Sequence, residues 1–553
     1  MAKTDVTAIN AKTISVNGVP VAGSAAPSGP LTTFDQINAA TVLALNGTVL
    51  QGALPAGAIF TNYDNLNVTS GVSINGVIRY GQASGGGGPT IVNLTAYGVT
   101  DWDPGISFLR AGYGQYAPAK EYADLLADFR AATTVQTYYV DSVNGLDANN
   151  GATTTPWQRV HTAWTQSPAA ATIEIVVRPP ASRILWGPRG MTNASTATKN
   201  IILRAEDGGE LIVAGGTLTT APTWTDNGDG TFTCSSGVTN ATVSPPVDWS
   251  PQARTETPDG DGRFFAQTIT AAALDAAGRA ALLPGQAHKN STSGTNDLTI
   301  RPFGNRAASV WRDYVVPGMQ PGSNMRIALF DATADSLVFF IARVKPSGGT
   351  PWSISNQRTT AGGRGKVYMD RCGAVGSTGT QNALAVVGSW LVTHFDSQFD
   401  ATGADAINGH TSTNGNAAWL SGAAYIVSVR PRTATVGLSG LGVDNSDTSH
   451  ETCRSLTVMP YFRGGNGRTH AFIDSSKGLV LGGYIGPSTR TGTYFESVNT
   501  GGTAQSVIVE ATIGASPGAA DITADTGSSV KCYGMTQGAL RTSGDVSFLP
   551  LVA

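Results

Sequence analysis

TYYVDSVNGLDANNGATTTPWQRVHTAW, residues 137–164, joins an extended segment, two Asn-Gly steps and an amphipathic stretch with two tryptophans. Thr137 to Val140 are β-branched and aromatic residues that favour a pleated backbone. Asn144-Gly145 and Asn150-Gly151 supply the positive φ angles of tight turns. Thr155-Pro156-Trp157-Gln158 has the hydroxyl, proline and glutamine of a capping box, which predicts a short helix with Trp157, Val160 and Trp164 on one face. A helix with two tryptophans is expected to cover something apolar.

What it covers is indicated downstream. Short apolar runs such as ATIEIVV (171–177), SLVFFIARV (336–344), GKVYMDRC (365–372), AAYIVSV (423–429) and SVIVEATI (506–513) recur every 20–30 residues, separated by Gly, Asn, Asp, Ser and Thr. With no helix long enough for a βαβ crossover, this repetition predicts a solenoid of stacked coils, about a dozen of them and about 55 Å long. The Trp157/Trp164 helix would cap its N-terminal end. The stretch near 220–320 interrupts the pattern with TWTDNGDGTFTC (223–234) and TNDLTIRPFGN (295–305), an insertion from one coil.

Ahead of the coils, TISVNGVPVAG (13–23) and VSINGVIRYG (72–81) are two versions of one hairpin, and GQASGGGGP (81–89) is a flexible linker by composition. Residues 1–90 contain too few large apolar side chains for a core and are expected to attach or oligomerise. In YAPAKEYADLLADFRAATT (116–134), Tyr122, Leu125, Leu126 and Phe129 form one helical stripe. That stripe either packs on its own domain or joins a bundle of identical helices. These boundaries give a module over 1–90, a linker with a short helix over 91–136, the solenoid over 137–500, and a β segment over 501–553 that closes the rod.

Of 553 residues, 68 are glycine and 13% are charged, against about 25% in ordinary globular proteins. The fold class is therefore all-β. A net charge of −3 gives no reason to expect nucleic acid, and no apolar run reaches the roughly 18–20 residues that cross a bilayer. MAKTDVTAIN lacks a secretory signal, so synthesis in a cytoplasm is expected. Cys234, Cys372, Cys453 and Cys532 are far apart with no CxxC, which predicts buried thiols and no disulfide framework. No metal or cofactor motif is present.

The quoted 137–164 stretch resembles the start of single-stranded right-handed β-helix proteins, the pectate-lyase-like fold, where YYVD…NGxDxNxGxxxxPW precedes the first coil. NALAVVGSWLVTHFDSQFDATGADAINGH (382–410) is similar to β-helix proteins of bacteriophages and bacteria with an Asp-Gly-(Phe/Ile)-Asn-x-His run at a coil corner. Here Asp405-Ala406-Ile407-Asn408-Gly409-His410 carries alanine in place of that glycine. DNSDTSHE (444–451) resembles the Asn-Gly-Ser-Thr-Ala-His element a few coils later.

The resemblance covers roughly 137–500. It implies a right-handed parallel β-helix with a small N-terminal virion-attachment module and a short helical junction, as in a phage tail spike or fibre. It further implies a homotrimer docked through residues 1–90 on tail, neck or baseplate proteins, released by host lysis and facing host surface polysaccharide. A depolymerase of that polysaccharide is the alternative, and a free bacterial pectate-lyase-like enzyme is disfavoured.

His394, His410, His450 and His470 lie in 394–470 among Asp396, Asp400, Asp405, Asp444, Asp447, Glu451 and Asp474. One coil of separation can make such residues neighbours, so Asp396, Asp400, Asp405, His410, Asp444, Asp447 and His450 are the catalytic candidates. Two carboxylates about 5–9 Å apart, or a carboxylate beside a histidine, can cleave a glycosidic bond. Trp390, Trp419, Tyr461 and Tyr484 are the candidate carbohydrate-binding surface. The competing reading makes the polar residues corner hydrogen-bonders and the aromatics solenoid core.

Overall fold

The computed structural model describes six short strands before residue 89. From 89 to 552 it describes everything except 168–171, 187–189, 194–198, 215–220, 236–244, 256–261, 271, 291–296, 318–324, 330–336, 348–351, 357–364, 378–383, 388–389, 402–406, 411–423, 434–440, 446–452, 463–469, 475, 486–494, 499–504, 515–519 and 539. The chain divides into two compact units, one of residues 1–93 and 107–119, the other of 94–106 and 120–553.

In the smaller unit, Ser15–Val16 pairs antiparallel with Val19–Pro20, and Val72–Ile74 with Val77–Arg79, the two hairpins expected from their Asn-Gly centres. A third pair joins Val42–Leu45 to Thr48–Gln51. Thr90–Ile91, Phe108–Gly112 and Gln115–Pro118 form a three-stranded antiparallel sheet.

The larger unit is a right-handed parallel β-helix. Sheet A has twelve strands from Val135–Asp141 to Val546–Leu549, sheet B nine from Ile184–Trp186 to Thr512–Ile513, and sheet C ten from Gly190–Asn193 to Thr542–Ser543. A complete coil takes one strand from each. At about 4.8 Å per step, sheet A is about 50 Å long. Its coils continue past residue 500 to Leu549, so 501–553 extends the rod as well as ending it.

Register stacks like on like. Ile173, Ile201, Phe339, Val367, Val392 and Ile426 follow one another in one inward column, all fully buried. Cys234, Cys372, Cys453 and Cys532 are buried free thiols, and burial pushes those of Cys372 and Cys532 up to about 12.

The N-terminal end is closed by α2 (Val160–Gln166), which buries Trp164 against Phe339 with ring centroids 5.9 Å apart. The helix starts later than the capping-box pattern predicts, with Arg159 at its N-cap. Thr155 instead donates its hydroxyl to Asn150 at 2.6 Å, an Asx-type turn that outcompetes the cap. Trp157 precedes the helix. Its backbone bridges Val140, and its indole donates to the Asn149 carbonyl and stacks on Tyr138. Gly151, at φ +74°, lies under that indole, where a Cβ would sit 2.5 Å from a ring carbon.

Of the stretch expected to be a linker with a short helix, residues 94–106 and 120–132 belong to the larger unit and lie along the outer face of sheet A. Tyr97 packs edge-on to Tyr533 and donates to the Val552 carbonyl. Asp101 bonds Arg454 and Lys477, and Trp102 packs on Tyr425. In α1 (Tyr122–Ala132), whose capping box is Glu121 with Asp124, Tyr122 and Phe129 pack on Phe340, which stacks on Tyr368 at 4.8 Å. Arg130 then reaches the buried Glu174, which also holds Arg204, both at 2.5 Å. The apolar stripe of α1 thus packs on its own domain. Burial opposes the charge of Asp101, but the Arg454 and Lys477 bonds outweigh it and hold its carboxyl at about 2.

The insertion leaves the rod after Leu211–Ala214 and returns at Met325–Leu329. It contains a mixed five-stranded sheet and a three-stranded antiparallel sheet. Trp224, Phe265, Phe303 and Trp311 fill the core beneath the larger one.

Candidate functional site

The chain leaves sheet A through one left-handed residue in eight successive coils: Arg343, Arg371, Asp396, Arg430, Met459, Gly482 and Glu510, each ahead of a sheet B strand, and Gly534 after the last of them. Each donates its N–H to the last sheet A carbonyl of the following coil, as Asp396 does to Val429 at 2.9 Å. Arginine is an unusual choice for this conformation, which glycine and asparagine adopt most readily.

Asp396, a catalytic candidate, is bound into this column. Arg430 donates to both of its oxygens at 2.7 and 2.8 Å and to both oxygens of Glu121 at 3.0 and 2.7 Å. Burial works against the Arg430 charge, but these bonds outweigh it and raise its pKa above its already high ordinary value. Asp396 is a corner clasp. His394 is interior, with Nε2 2.7 Å from the Ser428 hydroxyl and its ring edge-on to Phe399, and burial lowers its pKa to about 3.

Trp390, expected to offer a sugar surface, is a core residue. It points inward with Val392 and His394, is fully buried, and meets Phe339 edge-on. Gly365, its partner on the neighbouring strand, makes the space; a Cβ there would lie 2.3 Å from the indole.

Tyr461 and Tyr484 are placed differently. They are register partners on adjacent strands of sheet B, with ring centroids 5.7 Å apart and planes tilted 35°. Tyr461 is 39% exposed, while the alternating residues Phe462 and Ile485 are fully buried. The pair therefore stands on the outer face, in a column that runs Gln398, Arg432, Tyr461, Tyr484, Thr512. Pro460 and Gly483 hold the spacing: Tyr484 donates to the Pro460 carbonyl and Thr512 to that of Gly483. Arg432 and Thr512 were not singled out in the sequence. Thr512-Ile513 shares a polar-apolar doublet with Gln398-Phe399, whereas Arg432-Thr433 carries no such signal.

In sheet C, His410 and Asp444 are register partners on the adjacent strands Ile407–His410 and Leu441–Asn445. They follow the column of Ile354, Val386, Gly409 and Val443 by one residue, and Ile354 and Val386 are fully buried. Asp400 lies on Gln398–Ala401, in register with Val375. Asp405, Trp419, Asp447 and His450 lie outside the described residues.

No protein-family model matches the chain, and no curated protein matches it. Solved structures similar to it include XylC in complex with xylose, at 11% identity and a TM-score of 0.38 over 69% of this chain and 70% of that one. A glycoside hydrolase aligns at 10% identity and 0.34 over 75% and 94%. A GH136 lacto-N-biosidase from Eubacterium ramulus aligns at 9% and 0.29 over 78% and 70%. Likenesses this distant carry no argument about activity.

Proposed function

We propose that the rod binds and cleaves a polysaccharide along its flank. The observation that supports this most is the Tyr461/Tyr484 pair on the outer face of sheet B, one ring exposed and the other half-buried. Two such rings present an apolar surface on which the C–H faces of sugars pack, and the neighbouring Arg432 and Thr512 offer donors for their hydroxyls. Cleavage is assigned to His410 and Asp444, with Asp405, Asp447 and His450 near them in sequence. In this reading a carboxylate takes a proton from water or from the sugar ring while the imidazolium gives one to the leaving oxygen.

The test is reducing-end release and viscosity loss from bacterial capsular and exopolysaccharides, with cell-free polysaccharide binding measured in parallel. His410→Ala or Asp444→Ala should lower cleavage by about 100-fold or more with binding retained. Tyr461→Ala/Tyr484→Ala should abolish binding. Absence of binding to every polysaccharide, or binding unchanged in the tyrosine variant, would sink the proposal.

A second reading is favoured by the separate small unit of paired hairpins at residues 15–79. In it the protein is a trimeric virion spike, attached through residues 1–90 to tail, neck or baseplate proteins, with the rod recognising host polysaccharide. Binding without cleavage, together with a trimer in analytical ultracentrifugation, would select it.

A further inference from the structure

The insertion holds a cavity of about 360 Å³ that no part of the rod's reading uses. It lies on the polar face of the five-stranded sheet, opposite the tryptophan core. Register aligns Thr225, Thr233, Thr299 and His288 across four strands of that face. Asp297 and Asn290 extend it, and Ala273, Leu274 and Arg279 close the other side.

Its hydrogen bonds are directional. The Thr270 hydroxyl donates to the Ala272 carbonyl at 2.9 Å, so at its 2.7 Å contact with His288 Nε2 it accepts. His288 therefore carries its proton on Nε2. The residue is buried and burial lowers its pKa, so it is neutral and Nδ1 keeps a lone pair. On the facing strand, Asn227 donates to Thr233 at 2.9 Å, and Thr233 is 2.9 Å from Thr299. Thr233 accepts from the amide and can give its own proton to Thr299, an arrangement that leaves the Thr299 proton to donate further. Thr299 and His288 are register partners, so the sheet sets one donor beside one acceptor.

A donor next to an acceptor on a buried wall matches one hydroxyl group, which both accepts and donates. The lining charges, Arg279 and Asp297, cancel, and Arg279 is held by Asp229 at 3.1 Å. A charged ligand is therefore disfavoured. The volume is at the lower end for small-molecule sites, which run from about 300 Å³.

We infer that the insertion binds one neutral polyol the size of a monosaccharide, with Thr299 and His288 bonding the same hydroxyl. This site is independent of the glycan reading of the rod. As a single-sugar pocket on a side subdomain, it would anchor the protein to a chain end or branch.

The test is saturation-transfer difference NMR on the full chain with a panel of neutral hexoses, N-acetylhexosamines and inositol, each at about 10 mM, a level suited to millimolar affinity. One or more should receive saturation at the ring protons. Thr299→Val keeps the shape and removes the hydroxyl, and should weaken binding about five-fold or more; His288→Gln tests the acceptor independently. Tyr461→Ala/Tyr484→Ala should leave monosaccharide binding intact, which separates this site from the rod flank. No saturation with any member, or binding unchanged in both insertion variants, would mean a merely hydrated cavity and overturn the inference.

Discussion

Sheets A and B belong to the same coils, yet their outer faces differ. Sheet A's outer residues Phe340, Tyr425, Arg454 and Tyr533 are covered by Tyr97, Asp101, Trp102 and α1 of the same unit. Sheet B leaves Tyr461 in the open and Tyr484 half-buried. Both sheets have the same inward pattern, so the coil itself does not make the difference. The covered face is built for stability, and the open one is the face on which binding is proposed.

Substitutions should separate the two faces. The largest effect is expected for Phe340→Ala, which removes the ring that Tyr122, Phe129 and Tyr368 share. It should cost about 3–5 kcal/mol in urea unfolding. A loss below about 1 kcal/mol would mean that α1 does not bury this face.

Asp101→Ala comes next, because it strands the nearly buried Arg454. A fully buried pair broken on one side costs about 3–5 kcal/mol, and the partial exposure of Asp101 reduces this to about 2. Since the folded pKa lies near 2, below the unfolded value, this stabilisation is complete above about pH 4 and is lost as pH falls toward 2. Hydrogen exchange at 94–106 should accelerate across that window in the wild type. In the variant it should be fast throughout.

His394 gives an intermediate, pH-dependent effect. Its folded pKa is depressed to about 3, so protons bind preferentially to the unfolded chain below about pH 6.5. Its share of stability then falls by about 1.4 kcal/mol per pH unit on acidification. The stability gap between wild type and His394→Leu should close between pH 7 and 5; a constant gap would place the histidine in water.

The smallest stability change belongs to the open face. Tyr461→Ala/Tyr484→Ala should shift unfolding by about 1 kcal/mol at most while removing polysaccharide binding. A large shift would mean that the tyrosines hold the rod together.

Much of the fold could be read from runs such as SLVFFIARV and GKVYMDRC, because burial on both sides of a parallel strand leaves an unbroken apolar signature. The strap over 94–106 left no such trace. It lacks a regular run, and Tyr97 and Trp102 show no period. Thr155 fits the Thr-Pro-x-Gln pattern of a helix cap, and only the nearby Asn150 reveals the competing turn. The left-handed corners at Arg343, Arg371 and Arg430 were equally hidden, since arginine does not announce that backbone. Among the candidate aromatics, Tyr461 and Tyr484 are register partners on neighbouring strands, a pairing that residue type alone does not reveal. Trp390 is of the same residue class, but its parity with Val392 places it inside. The insertion's threonines look like an ordinary solvent-facing alternation until register sets them around one space.

The covering strap joins residues far apart along the chain: Tyr97 to Val552, Asp101 to Arg454 and Glu121 to Arg430 are separated by 455, 353 and 309 positions. A solenoid held only by neighbouring coils can nucleate anywhere and fray from either end. Here the final coil must exist before Tyr97 can dock, so the strap has to wait, unpaired, until synthesis has passed the end of the rod. Once docked, it must be released before the coils beneath it can peel away, which turns a linear stack into a cooperative body that folds slowly and comes apart reluctantly.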